Sequence, residues 1–429
     1  MNELVIPEGT EELDPDAYEY GDFTRIVLPA SLTEMPDFLT NTYEIDASRC
    51  VQITEIPEFC FFNAYLRLFR CPPNLGSIRE SAFEGSSLET FVCRTIEMID
   101  EAAFRNCASL KSVSFRGAAF SLLPEHCFRN CLSLLSVELP ATCIVIEEEA
   151  FAECARLERV GGGQQPVFAG NMSFSQCGLA TLPWREFSHI GEFCFEGCQR
   201  LREAVFQSPY LGQAAFANCP ALETARLVAE EVGAQCFLAC SSLQDVELGE
   251  GTLSLFQEAF KDCGRLTRVA LPSTLETIDN ETFMNCGFAY VQLPPSLAEI
   301  GRFAFANCRN LLAASGGEEI QVVREFAFDG CTLLGSDNAA PFVLGVAPEA
   351  NVEFAALNAC INMFYFRYGD NEDFNTQLRT MNLLARTTLK LIMEENSVPV
   401  EIAMKIQRMI PAPEAQRIQD YLEDAQDDL

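Results

Sequence analysis

Residues 278–308, IDNETFMNCGFAYVQLPPSLAEIGRFAFANC, contain two copies of one short pattern. In the first copy Ile278 lies five residues before Phe283, and Cys286 lies three residues after it. The second copy repeats these spacings around Phe305, 22 residues further along the chain. Self-similarity at a fixed period of this length indicates a repeat architecture in which each copy is one structural unit.

The pattern recurs along most of the chain in steps of 21 to 24 residues. Its phenylalanines, each preceded by Cys, Ala, Ser or Thr, are Phe61, Phe83, Phe104, Phe128, Phe151, Phe174, Phe195, Phe216, Phe237, Phe260, Phe283, Phe305 and Phe328. A cysteine follows three residues later in eleven of the thirteen copies, the exceptions being Ala64 and Ser86. Weaker copies around Tyr18 and Phe38 extend the array, so we predict about 15 coils between residues 3 and 345.

Each copy divides into two parts. Segments such as 134–139 (LLSVEL) and 266–271 (LTRVAL) alternate apolar and polar residues, which predicts a short strand with one face buried. The part around the phenylalanine, such as 100–107 (DEAAFRNC), is too short for an independent helix and predicts one helical or 3₁₀ turn. No single coil can bury both faces, so stacked coils must share a continuous core.

The repeat resembles the BspA-type leucine-rich repeat family, whose consensus is similar to I-x-x-x-AF-x-x-C-x-x-L-x-x-V-x-LP. Segments 278–308 and 99–116 match it almost residue by residue, and the resemblance covers about four fifths of the chain. It implies a leucine-rich repeat arc of the α/β class. It also implies protein binding, adhesion or host interaction as the function, with no shared active site.

The pattern changes at about residue 345, so we predict two domains, a repeat solenoid at 1–345 and a C-terminal module at 346–429. Segments 351–367 and 374–394 have helical spacing of apolar residues, and Pro399 and Pro413 suit first helical turns. The sequence therefore predicts an all-helical module with an acidic tail. It would cap the last coil, dock a partner or mediate oligomerisation.

Twenty cysteines raise the question of disulfides or zinc. Eleven occupy one repeat position, and four more precede the phenylalanine, where a small buried residue is expected. Since thiols behave as small apolar groups with a weak S–H donor, we interpret them as a structural ladder and predict no metal site. Many reduced thiols favour a reducing compartment. Because no secretory signal is visible either, we predict a cytoplasmic protein.

Composition excludes several classes of function. The 429 residues carry a formal net charge of −33, which argues against nucleic acids and anionic membranes as partners. No stretch approaches the roughly 18 uninterrupted apolar residues of a membrane-spanning helix. Two histidines and no catalytic motif argue against an enzyme, and nothing indicates a cofactor. A protein partner remains, with a basic one favoured by the charge.

Two surfaces are candidates for that partner. The solvent side of the strands, the strand face, would present Glu203, Arg226, Asp245, Glu247, Arg268, Tyr290 and Gln292. Glutamates three residues before the phenylalanine would form an acidic ridge of Glu58, Glu80, Glu101, Glu125 and Glu148. Alternatively, these carboxylates accept backbone N–H groups at the start of each helical turn.

The sequence as a whole predicts a non-catalytic protein-interaction scaffold. Two alternatives remain open. One is an acidic inhibitor or buffer of a basic protein, and the other is a secreted adhesin or host-directed effector.

Overall fold

The structure, a computed structural model, describes residues 2–14, 23–165, 167–324, 326–331 and 334, with residues 318, 319 and 343–352 in backbone only. The chain divides into two compact units, Met1–Leu227 and Val228–Leu429. Within the described residues there are 26 strands and no helix.

The strands are short, because each crosses one side of a coil before the chain turns. Their bounds are β1 Glu3–Val5, β2 Arg25–Val27, β3 Glu44–Asp46, β4 Glu55–Ile56, β5 Leu68–Arg70, β6 Ser77–Ile78, β7 Thr90–Val92, β8 Met98–Ile99, β9 Ser112–Ser114, β10 Leu122–Leu123, β11 Ser136–Glu138, β12 Val145–Ile146, β13 Arg159–Gly161, β14 Val167–Ala169, β15 Phe187–Ile190, β16 Glu203–Gln207, β17 Thr224–Val228, β18 Glu231–Val232, β19 Asp245–Leu248, β20 Ser254–Leu255, β21 Arg268–Ala270, β22 Thr277–Ile278, β23 Tyr290–Leu293, β24 Glu299–Ile300, β25 Ala313–Val323 and β26 Val343–Val352.

In the first unit the strands stack coil on coil in parallel sheets. One sheet has the order β1-β2-β3-β5-β7-β9-β11-β13, and the opposite side of the coils carries β4-β6-β8 and β10-β12-β14-β15. Equivalent residues of successive copies pair in register, as Val113 does with Val137 and Ile78 with Ile99. The repeat period therefore equals one full coil.

The second unit is built in the same way. Strands β19 and β21 pair in parallel, and β18, β20, β22 and β24 form a second parallel ladder. The long strand β25 joins the two sides, because Ala313 pairs with Tyr290 of β23 while Val323 pairs with Ile300 of β24. Strand β26 then pairs with β25.

The segment around each repeat phenylalanine forms a third ladder, which we call the turn ladder. Alternate N–H groups donate to carbonyls of the next coil, as Ala102 to Glu125, Phe104 to Cys127 and Asn106 to Arg129, at 2.9–3.0 Å. The residues between them close tight turns, as in the 2.9 Å bond from Arg105 N to Ala102 O. In each coil two residues have positive φ: the one that lies two positions before the phenylalanine and the one that lies two positions after it.

The core of each unit is a column of stacked rings. Centroids of successive repeat phenylalanines lie 5.1–5.4 Å apart, from Phe61 to Phe216 in the first unit and from Phe237 to Phe328 in the second. The rings are buried, as are the inward residues of the strands. This column is the shared core that the sequence predicts.

The repeat cysteines lie beside this column. In ten coils the thiol donates to the carbonyl oxygen of the phenylalanine one coil earlier, with Sγ–O distances of 3.0–3.3 Å. Cys131 Sγ, for example, lies 3.1 Å from Phe104 O. Among the cysteines that the structure describes no disulfide is present, and only Cys71 is not buried.

The predicted fold class is wrong in its helical parts. The described residues form an all-β parallel solenoid of about 14 turns rather than an α/β arc of 15 coils with helical turns. The segment 100–107 forms no helical turn, because half of its N–H groups bond the neighbouring coil instead of a carbonyl in their own segment.

The all-helical C-terminal module is also corrected. Residues 346–352, which the prediction assigns to it, belong to strand β26. Without a neighbour, strand β25 would leave backbone groups unpaired at the edge of its sheet, and the parallel strand β26 pairs with it. The rest of the predicted module, 353–429, lies outside the described residues, and the domain division at 345/346 stays a prediction.

Candidate interaction surfaces

The predicted strand face is solvent-exposed in both units. In the first unit Glu203 and Arg226 point outward from β16 and β17. In the second unit the outward positions hold Asp245, Glu247, Arg268, Tyr290 and Gln292.

Some side chains of this face already form hydrogen bonds or ion pairs with other residues of the chain. Arg268 binds Asp245 with both ends of its guanidinium, at 3.1 and 2.5 Å, and this pairing raises the pKa of Arg268. Gln292 Oε1 accepts a hydrogen bond from Ser315 Oγ at 2.8 Å. A partner must therefore compete with existing bonds at these positions. Tyr290 is half exposed.

The five residues of the acidic ridge occupy equivalent positions of successive coils, and all five are exposed. The turn ladder sets their stacking, since the N–H that follows each glutamate donates to the main-chain carbonyl of the next glutamate, as from Ala102 to Glu125 and from His126 to Glu148. These N–H groups are thus satisfied by backbone oxygens. The carboxylates are left to face solvent rather than to cap a turn.

A third surface, which the sequence prediction missed, is an aromatic cleft in the first unit. It has a volume of about 440 Å³ and is lined by Phe23, Thr24, Asn41, Tyr43, Tyr65, Arg67 and Ser87. Tyr65 is 69% exposed, and the guanidinium of Arg67 lies 5.1 Å from the centre of the Tyr43 ring. Phe59 and Phe62, in the same turn as Tyr65, are also exposed and meet edge to face at 5.8 Å.

The sequence does contain a signal for this cleft. Phe59, Phe62 and Tyr65 lie at repeat positions −2, +1 and +4 relative to Phe61, where the side chain faces solvent in this copy. The copy around Phe104 has Ala102, Arg105 and Ala108 there. Three aromatic residues at solvent-facing positions of one copy are therefore a deviation that only the repeat register makes visible.

One pair of cysteines differs chemically from the others. Cys71 and Cys93 directly follow the paired strands β5 and β7. Interaction with the Cys71 thiol lowers the pKa of Cys93 to about 6, whereas burial raises the pKa of Cys143, Cys154 and Cys194 to about 12. Thiolate character is thus concentrated at Cys93.

The repeat of this chain has counterparts in a known protein family. The sequence matches the BspA type leucine-rich repeat region in six copies, over residues 1–111, 39–158, 121–244 and 230–338. The chain belongs to the BspA type leucine-rich repeat family. The family resemblance inferred from the repeat is therefore confirmed.

Three solved structures, two of them of leucine-rich repeat proteins, are similar to this chain. One from Bacteroides ovatus is 22% identical, with a TM-score of 0.59, and the match covers 78% of this chain and 85% of that one. The leucine-rich repeat protein of T. pallidum is 23% identical over 37% of this chain and 78% of its own, with a TM-score of 0.33. The pneumococcal vaccine antigen PcpA is 18% identical over 78% and 81% of the two chains, with a TM-score of 0.35.

No curated protein matches the sequence. In the part of the chain that the structure describes, no helix has the length and apolar character needed to cross a membrane.

Proposed function

We propose that this BspA type repeat protein is a non-catalytic protein-interaction scaffold and that the aromatic cleft is its main contact surface. The observation that carries the proposal is the concentration of exposed aromatic side chains, with Tyr43, Phe59, Phe62 and Tyr65 inside one stretch of the first unit. Tyrosine and arginine are the residue types that most often dominate binding energy at protein interfaces.

The backbone under the cleft supports this role. Tyr65 N donates to Thr40 O at 2.8 Å and Arg67 N donates to Tyr43 O at 2.8 Å, so the side chains project from hydrogen-bonded, stacked coils. Ordering a flexible surface on binding costs roughly 0.5–1.5 kcal/mol per side chain. A cleft on a preformed scaffold avoids part of that cost.

Affinity capture with variants tests the proposal. Full-length wild type, the double variant Tyr43→Ser/Tyr65→Ser and a control at two exposed aromatic residues outside both surfaces, Tyr210→Ser/Phe256→Ser, are compared on lysate of the source cells under reducing conditions. We expect proteins held by wild type and control to be lost from the cleft variant, with all three chains equally folded by circular dichroism. Equal capture by all three would refute the cleft as the contact surface.

A second candidate function, inhibition or buffering of a basic protein, is supported by the acidic ridge. Five exposed carboxylates stacked in one line, on a chain of net charge −33, make a surface that attracts a cationic partner. Such a partner should dissociate steeply with salt and bind weakly to a variant with all five glutamates changed to glutamine. A partner unaffected by either change argues for the cleft instead.

We also propose a cytoplasmic location, supported by the absence of disulfides among the described cysteines. Titration of thiols in the denatured protein, alkylated at lysis, tests it. Nearly complete reaction of the 20 cysteines is expected, whereas extensive prior oxidation would favour the secreted adhesin or effector.

A further inference from the structure

One histidine lies on the acidic ridge, and its surroundings differ from those of any other ridge position. His126 directly follows Glu125 and has a φ of 55°. Its Nε2 lies 3.9 Å from Oε1 of Glu101. One oxygen of Glu101, one oxygen of Glu125 and the imidazole nitrogen all lie within 4.8 Å of one another.

The other ring nitrogen faces a carboxylate on the opposite side. His126 Nδ1 lies 3.2 Å from Oε2 of Glu149, and Arg129 binds the same carboxylate oxygen. Both atoms of the His126–Glu149 contact are buried, and neither forms an aligned hydrogen bond. A proton on Nδ1 would complete this contact, and it leaves the lone pair of Nε2 directed toward Glu101 and Glu125.

We propose that Glu101, Glu125 and His126 form a zinc-binding site. The ligands are Nε2 of His126 and one carboxylate oxygen from each glutamate, with Glu149 orienting the ring from behind. Metal-bound histidines usually donate their second N–H to a carboxylate or carbonyl, which fixes the tautomer and the ring orientation.

The distances suit a small closing movement. Zinc binds nitrogen and oxygen ligands at roughly 2.0–2.2 Å, so tetrahedral ligands lie about 3.3 Å apart. The Nε2–Oε1 distance of 3.9 Å is longer than this, and rotation of the Glu101 side chain, which is 51% exposed, can close the gap. Three protein ligands leave the fourth tetrahedral position to water.

The local charge favours a cation. Glu147, Glu148 and Glu149 follow one another on the next coil, beside Glu125. An imidazole among few oxygen ligands selects zinc over calcium or magnesium, which prefer all-oxygen shells.

The presence of only two histidines makes a direct test possible. Full-length chain labelled with ¹⁵N-histidine and kept reduced should show two imidazoles by NMR, His126 and His189, assigned with His126→Gln and His189→Gln. We expect zinc to shift the His126 signals alone and to saturate at one equivalent. His189, stacked between the rings of Phe168 and Tyr210 at 4.5 and 4.4 Å, is the internal control.

Substitutions distinguish the two glutamate ligands, Glu101 and Glu125, from Glu149, which orients the histidine ring. Glu149→Gln should weaken zinc binding about 10–100-fold, the usual effect of removing a hydrogen-bonding carboxylate behind a metal ligand. Glu101→Gln/Glu125→Gln should abolish the saturable shift, and Glu58→Gln/Glu80→Gln, on the same ridge without a histidine, should leave it unchanged.

Two results would overturn the site. The first is uptake of zinc by thiols such as Cys71 and Cys93 with both imidazole signals unmoved. The second is binding of zinc at His126 in the Glu101→Gln/Glu125→Gln variant with wild-type affinity.

Discussion

At the scale of single residues, the repeat phenylalanine and the repeat cysteine have separate roles. The phenylalanine supplies buried area and stacks on its two neighbours. The cysteine fills a small site and gives its S–H to the carbonyl of the previous phenylalanine, which already accepts a main-chain N–H in its own turn, as Phe104 O does from Cys107 N. A carbonyl oxygen has two lone pairs, so the thiol satisfies the second one.

The stacking column predicts a large effect of truncating a single ring. Phe260→Ala should lower the free energy of unfolding by about 3–5 kcal/mol, because a fully buried phenylalanine leaves a cavity. Phe256→Ala, in the same coil but 37% exposed, is the matched control and should change it far less. Urea unfolding followed by circular dichroism measures both, and equal effects would contradict the register of the core.

The Cys71–Cys93 pair predicts an unusual thiol titration. Thiolate absorbance should rise by one group near pH 6, because interaction with the Cys71 thiol holds the pKa of Cys93 at about 6. Cys71→Ala should remove that step, whereas Cys50→Ala, at a thiol whose pKa burial raises to about 11, should leave it in place. Persistence of the step in Cys71→Ala would show that another group causes it.

The same pair contributes to stability in a defined pH window. The pKa of Cys93 is lower in the folded chain than its ordinary value of 9.0, so the folded state favours the thiolate. The contribution is fully present above the ordinary pKa and is lost as the pH falls through about 6. The difference in urea midpoint between wild type and Cys71→Ala should therefore shrink on acidification through that range.

At the scale of the element, the turn ladder depends on two positive-φ residues in every coil. The position two residues after the phenylalanine is Asn or Gly in nine of thirteen coils, and these residues tolerate the left-handed region best. Ala239, with a φ of 57°, is an exception and carries conformational strain.

Relief of that strain is measurable. Ala239→Gly should raise the free energy of unfolding by up to about 1 kcal/mol, because glycine adopts positive φ without steric cost. Ala155→Gly, at an exposed residue that lacks positive φ, should instead lower it by about 0.5–1 kcal/mol. The same sign for both variants would argue against strain at Ala239.

The repeat period was enough to predict the register, the buried positions and the structural role of the cysteines. It could not predict the turn ladder, because the spacing around Phe104 shows which side chains are buried and not which carbonyl each N–H bonds. The helical spacing at 351–367 was misleading at its start, because residues 351 and 352 lie in strand β26. Apolar periodicity gives no information about backbone pairing, and it therefore could not predict that this segment pairs with the edge of β25.

The candidate site was predicted less well than the fold. The acidic ridge follows from the period alone, and its five glutamates lie at equivalent, exposed positions. The aromatic cleft was missed because it joins Phe23, Tyr43 and Tyr65 from successive coils, and their meeting depends on loop paths between repeats. The contact of His126 with Glu149 likewise depends on the positive φ of both residues.

At the scale of the whole molecule, the net charge of −33 opposes folding, because carboxylates on successive coils repel one another. Raising the salt concentration to about 1 M shortens the screening length to about 3 Å. The melting temperature should therefore rise with sodium chloride, beyond the rise produced by an uncharged solute of equal osmolality. A fall with salt would mean that ion pairs such as Arg25–Glu44 outweigh the repulsion.

The ladders also have an evolutionary consequence. Each coil offers its successor the same backbone donors and acceptors and one ring, and eleven of the thirteen copies also offer one thiol, so neighbouring copies are interchangeable at most of their contacts. Recombination that duplicates or deletes one whole copy leaves each of these groups matched, whereas loss of part of a copy leaves an entire row of them unmatched. Gene length can therefore drift in units of one repeat while the solvent-facing positions diverge independently.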